Sequence, residues 1–401
     1  MVAFKSTYKK ISLFTFTFIA ILFFQNAKAQ TDSNVTRPCI AVLAPLYLDS
    51  AFNNFDYKLG NLNIPQYFLP GLEFYNGVMM CIDSLRKEGI DLDVWIFDTK
   101  KKNQSADSLA NQIASLNCSL IIASFTNTTE QRIFSDLSLS KNIPLVSATY
   151  PNDAYVNANP FFIMINSTLK THIEAIYKYV QHDYPIGKIM YVRQSGTLEN
   201  KIQSMFADMT KKTYPLQYNK VTMPDDFTAD QLLPLLDSNR QNVIICGSVS
   251  EIFGTTLIKA LNEAPPSYTI VAVGMPTWDG LKSVYNTTNK NLNIIYSTPY
   301  NYSRSDSTLE ALRTEYKTKF NGRPSDMLFK GFETMYCFSK LLLKYHNDLL
   351  NNLSDTSFHI SNAYEFRPVN NPSDSTSIPD YIENKKLYFI NVSQGNIKSV
   401  N

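Results

Sequence analysis

Histidine is scarce in this chain, and its spacing excludes a metal centre. The four histidines, His172, His182, His346 and His359, are scattered, and the nearest pair lies ten residues apart without cysteines or paired carboxylates at ligand spacing. No G-x-S-x-G elbow, Walker A loop or G-x-G-x-x-G run occurs, so neither a hydrolase nucleophile nor a nucleotide-phosphate loop is encoded in the usual form. No enzyme and no cofactor is therefore expected. An excess of one charge is also lacking. The net charge is +2, and residues 1–29 hold Lys5, Lys9, Lys10 and Lys28 with no acid, so the remainder is close to neutral. A nucleic-acid partner would require a basic stripe that is not there. Beyond the first 29 residues no long apolar run exists, so a soluble protein is expected. Cysteine is sparse and odd in number: Cys39, Cys81, Cys118, Cys246 and Cys337. These read as free, buried thiols acting as small hydrophobes, although an oxidising compartment would permit a disulfide.

What is present begins with an export signal. Lys5, Lys9 and Lys10 precede a nearly unbroken apolar stretch, Ile11 to Phe24, and Ala27-Lys28-Ala29 forms an A-x-A cleavage site. The run is shorter than the ~20 residues of a spanning helix. Residues 1–29 read as a signal peptide cleaved after Ala29, which predicts a periplasmic location. No cysteine stands at the cleavage point to take a lipid. The length that remains exceeds what one core usually holds, so two domains are expected.

Short apolar runs then alternate with stretches of helical spacing. Cys39–Pro45, Leu92–Phe97, Leu120–Ser124 and Pro144–Ser147 form one series, and Lys188–Val192, Asn242–Cys246 and Tyr268–Gly274 a second. Such alternation predicts an α/β fold: two Rossmann-like lobes with parallel-core sheets flanked by helices, and a cleft between them. Gly89 is a plausible cap for the helix ending near Lys87. An aromatic-rich loop, 46–70, follows the first strand, and Lys386–Val392 predicts an edge hairpin near the end. Asp98, at a strand end, reads as a capping or hinge residue in preference to a general base.

The order of several pieces resembles the type I periplasmic binding proteins, in the branch of the Leu/Ile/Val-binding components of ABC importers. The pieces are Ile40-Ala41-Val42-Leu43-Ala44-Pro45-Leu46, a helix with Gly77 and Ile82-Asp83, Asp98 after the second strand, Ile121-Ile122-Ala123-Ser124 with a Thr-rich loop, Ile143-Pro144-Leu145-Val146-Ser147, and Phe320-Asn321-Gly322-Arg323-Pro324. The resemblance spans Cys39 to the C-terminus. It implies a three-crossing hinge, with crossings near Ile165–Thr168, Gly274–Asn293 and Tyr345–Ser361. Lobe one would hold 38–165 plus 292–347, and lobe two 166–291 plus 348–401.

The resemblance also implies a ligand site on loops at strand C-termini: Thr126, Asn127, Thr128, Thr129, Thr149 and Tyr150 on lobe one, and Ser195, Ser248, Trp278 and Asp279 on lobe two. The free N–H groups of the helix after Thr126 would suit an anionic ligand group, and Trp278 reads either as a ring that stacks on the ligand or as a half-buried interlobe aromatic. Amino-acid binders of the family place an acid near the last segment, where this chain has Trp278-Asp279. The family's glycine pattern before the Ser/Thr loop is absent, so an amino-acid ligand does not follow from the resemblance. The implied partners are a small polar molecule, amino-acid-like ligands among the candidates, and an ABC permease or a sensor. Reuse of the fold as a cell-envelope interaction module without a transported solute is the alternative.

Overall fold

The computed structural model of the chain describes residues 37–60, 63–300, 307–370 and 378–400. The export segment and cleavage site expected in residues 1–29 lie outside the described residues.

In chain order the principal elements of the unit that begins at Cys39 are β1 (Cys39–Ala44), α1 (Leu69–Lys87), β2 (Asp93–Asp98), α2 (Ala106–Ala114), β3 (Leu120–Ala123), α3 (Thr128–Lys141), β4 (Leu145–Ser147), β5 (Phe162–Met164) and α4 (Leu169–Asp183). Then come β6 (Lys188–Arg193), α5 (Thr197–Asp208), β7 (Asn219–Thr222), β8 (Gln241–Cys246), α6 (Glu251–Asn262), β9 (Thr269–Gly274) and β10 (Leu292–Thr298). The chain finishes with α7 (Ser307–Phe320), α8 (Asp326–Tyr345), β11 (Phe366–Val369), β12 (Tyr381–Asn384), β13 (Tyr388–Ser393) and β14 (Asn396–Val400).

Helix starts are marked by side chains that accept from otherwise unsatisfied N–H groups: Ser105 from Ser108, Asn127 from Glu130, Ser250 from Phe253 and Ser325 from Met327. The central strands are buried on both faces, as parallel strands under two helical layers must be.

The strands form two seven-stranded sheets. One runs β11-β12-β5-β4-β3-β1-β2 and the other β14-β13-β10-β9-β8-β6-β7. In the first, every pairing is parallel except that of β11 with β12. In the second, β13 pairs antiparallel with both β10 and β14, which realises the edge hairpin expected near the end. Each sheet carries an apolar cluster on either face. In lobe one, α1 and α8 cross closely because glycines meet backbone: a Cβ on Gly77 would strike the Leu328 carbonyl, and one on Gly331 the Phe74 carbonyl.

The chain passes between sheets three times, but two expected crossings move. The first falls at Ile165–Thr168, as expected. The second follows Thr298, not Gly274–Asn293, because β10 continues the second sheet in register beside β9, with Ile270 opposite Leu292. The third falls at Lys385–Leu387, not Tyr345–Ser361, because β11 and β12 return to the first sheet. Residues 292–298 thus belong to lobe two, and 348–370 and 378–384 to lobe one. An apolar strand carries no record of which sheet it will join, so the pattern could not place these segments.

Two cysteines also depart from expectation. Cys39, opening β1, and Cys118, just before β3, are disulfide-bonded, with Cα atoms 4.5 Å apart. The parallel register of β1 and β3 brings them together, which their separation of 79 residues conceals. Cys81, Cys246 and Cys337 are free and buried.

At the hinge, Glu383 is 1% exposed. It is the penultimate residue of β12 and accepts from the Thr168 N–H (2.7 Å) and the hydroxyls of Thr168 (2.9 Å) and Thr171 (2.7 Å), and it pairs with Lys385. One carboxylate thereby joins the end of lobe one's sheet to the first helix of lobe two.

Candidate functional site

The strand ends of lobe one bring several of the expected polar groups together. Ser124, after β3, and Thr149, after β4, share a hydrogen bond of 3.1 Å between hydroxyls, and the Asn166 amide donates to the Thr149 carbonyl at 2.7 Å. The Ser124 loop runs on into Thr126–Thr129. Thr126 and Thr129 are exposed, while Asn127, Thr128, Thr149 and Tyr150 are half-buried. Asn127 is the cap of α3, its side-chain oxygen accepting from the Glu130 N–H at 2.9 Å. Glu130 itself sits in the first turn of α3 and pairs with Lys100. The positive end of α3 is therefore already faced by an internal carboxylate. Asp98 accepts from the backbone N–H groups of Leu46, Tyr47, Leu48 and Lys100 at 2.8–3.1 Å. That makes it a turn-capping residue, which fixes Tyr47 in the left-handed region at φ 55°. The Tyr47 ring then stacks on Phe68 and meets Tyr67 edge-on, so the aromatic loop forms a rim beside β1.

Lobe two corrects two of the expected residues. Ser248 is fully enclosed and turned inward, donating to Glu199 at 2.9 Å and accepting from the Ser250 N–H. The Glu199 carboxylate, buried in the first turn of α5, also accepts from Gln194. Trp278 has 0% exposure and belongs to the core of the lobe. The turn after β9 folds its indole back over Gly274 and Gly254, where any Cβ would collide with the ring. Neither side chain is presented to a cleft. Ser195 and Asp279 are exposed. Asp279 accepts from the Tyr296 hydroxyl at 2.9 Å, and its carbonyl accepts from Tyr285.

Asp279 faces residues that the sequence reading did not select. It lies within electrostatic reach of Lys330 and Asp326 on α8 of lobe one. Burial holds the Asp326 carboxyl above its usual range and the Lys330 ammonium below its own. The Lys330 Nζ sits 4.3 Å over the Tyr300 ring, and the Tyr300 hydroxyl donates to the Ala148 carbonyl, next to Thr149. The one signal for this group in the sequence was a lysine inside an otherwise apolar stretch, Leu328-Phe329-Lys330-Gly331-Phe332. Away from the strand ends, a cavity of about 380 Å³ lies on lobe two between α6 and residues 282–287.

No family model matches the chain, and no curated protein matches it in sequence. Solved structures do match. An ABC transporter substrate-binding protein from Desulfitobacterium hafniense, in complex with Leu, is similar at a TM-score of 0.58 and 10% identity, over 91% of this chain and 100% of that one. A branched chain amino acid ABC transporter periplasmic ligand-binding protein from Burkholderia xenovorans gives 0.61 and 10%, over 91% and 95%. A branched-chain amino acid transporter substrate binding protein from Streptococcus pneumoniae, in complex with isoleucine, gives 0.53 and 14%, over 91% and 99%. At these identities the likeness establishes the fold, which is the two-lobe α/β fold of type I periplasmic binding proteins.

Proposed function

We propose that this chain, which has the two-lobe fold of the type I periplasmic binding proteins, is an exported solute-binding protein without catalytic activity. It closes its lobes over a small polar ligand, amino-acid-like in character, and presents it to an ABC permease or a sensor. The observation that carries the reading is the pairing of that fold with the polar strand ends of lobe one, where Ser124, Thr149 and Asn166 meet. The names of the similar structures, two of which carry Leu or isoleucine, support an amino-acid-like ligand. Export is supported by the basic start, apolar run and A-x-A site of residues 1–29. Among the described residues no helix is long and apolar enough to cross a membrane.

Two lobes joined by three crossings can rotate as rigid bodies, and a ligand touching both favours the closed arrangement. Native mass spectrometry of protein purified from its own envelope should reveal a co-purifying small molecule. Small-angle scattering should then give a smaller radius with that molecule than without it. An unchanged profile at saturation would reject closure and favour the interaction-module alternative.

A further inference from the structure

Among the described residues, the hydrogen bonds and ion pairs leave Lys330 without a partner; its one polar contact is the face of Tyr300. A cation over an aromatic ring recovers only a fraction of what a half-buried ammonium loses on leaving water. Asp326 and Asp279 are in electrostatic reach, yet neither is within ion-pair distance. The ammonium also lies beside the polar strand ends of lobe one, since Tyr300 links it to Ala148 and hence to Thr149 and Ser124.

Two helix starts that could attract an anionic group already face carboxylates. The start of α3 is faced by Glu130, one oxygen of which pairs with Lys100, and the start of α5 by Glu199. A ligand anion at either helix start would meet a fixed carboxylate.

We propose that Lys330 receives the acidic group of the ligand, and that this group is a carboxylate. The inference rests on the solute-binding reading and deepens it. Lys330 is the cation of this group, and a carboxylate brings it a single negative charge, whereas a phosphate dianion would be repelled more strongly by Asp326 and Asp279. The same two aspartates offer acceptors to a second, cationic end of the ligand, so the site suits a zwitterion.

The test is calorimetric titration of the full protein with L-leucine, L-phenylalanine, L-serine and L-glutamate, each beside its α-carboxamide. At least one acid should bind the wild type, and its amide more weakly by roughly tenfold or more. Lys330→Met should weaken that acid by a similar factor and abolish the preference for acid over amide, while Lys330→Arg should restore part of it. The melting temperature of Lys330→Met without ligand should not fall, because an unpaired cation has been removed. Should Lys330→Met not fold, Lys330→Gln gives the same comparison. Acid binding that is unchanged in the variant would overturn the role of Lys330 and leave the solute-binding reading intact. Failure of every probe to bind the wild type would overturn the amino-acid-like ligand and this inference with it.

Discussion

His172 sits on α4 with its Nδ1 2.8 Å from the Ser297 hydroxyl of β10, and burial pushes its imidazole down to about 3. In the unfolded chain the same ring titrates near the ordinary value of about 6.5. Between these two values the unfolded chain binds a proton that the folded protein refuses, so stability falls as the pH drops below about 6.5. The expected slope from this one residue is about 1.4 kcal/mol per pH unit across that window. Urea unfolding of His172→Gln against pH should show a correspondingly flatter acid limb; an identical limb would mean that the ring protonates in the folded state. Trp278 yields a second prediction at this scale. Its indole fills the core of lobe two, so Trp278→Ala should cost about 3–5 kcal/mol of stability. Ligand affinity should stay unchanged in the folded fraction, which calorimetry would check. A large loss of affinity with unchanged stability would return Trp278 to the cleft.

At the scale of elements, the hinge is more than three lengths of connecting chain. Glu383 brings three donors of the Thr168–Thr171 turn and the Lys385 ammonium onto one buried carboxylate. Substituting alanine would strand those groups, and buried partners left unpaired are costly. Glu383→Ala should therefore lower stability by about 3 kcal/mol in chemical denaturation. Glu365→Ala, on the exposed start of the same segment, should change it by less than about 0.5 kcal/mol. Equal effects of the two would show that the hinge network contributes little. The α1–α8 contact works in the same way by geometry: Gly77 and Gly331 let two backbones approach, and the apolar stripes of both helices fill the rest.

For the whole molecule, the Cys39–Cys118 bond closes a loop that holds β1, α1, β2 and α2. Replacing both cysteines with serine should cost about 2–4 kcal/mol, chiefly by releasing the unfolded chain. Intact-mass analysis after alkylation under denaturing, non-reducing conditions should find Cys81, Cys246 and Cys337 modified and the other two protected. Five alkylated cysteines would show that the bond does not form. The pairing agrees with a protein made for an oxidising compartment, which is also where the export segment would send it.

Sequence alone determined the alternation of strand and helix, the two series that became two sheets, the capping role of Asp98 and the closing hairpin. The alternation, the two series and the hairpin rest on local spacing, and Asp98 was marked by its place at a strand end, although three of the four N–H groups it caps lie about fifty residues before it. Tertiary structure decided which sheet β10, β11 and β12 join, because a buried strand looks alike whichever neighbour it pairs with. It decided the disulfide, since parallel register and not spacing places Cys39 beside Cys118. It also decided the fates of the site residues. Thr149 meets Ser124 and Asp279 stays exposed, whereas Ser248 and Trp278, at equivalent strand ends, turn into the protein to satisfy Glu199 and to cover Gly274. The direction in which a side chain leaves a strand-end turn depends on what is packed behind it. For the same reason Lys330, which reads as a misplaced charge in an apolar helix, gains meaning only when folding sets Tyr300 beneath it and Asp279 across from it.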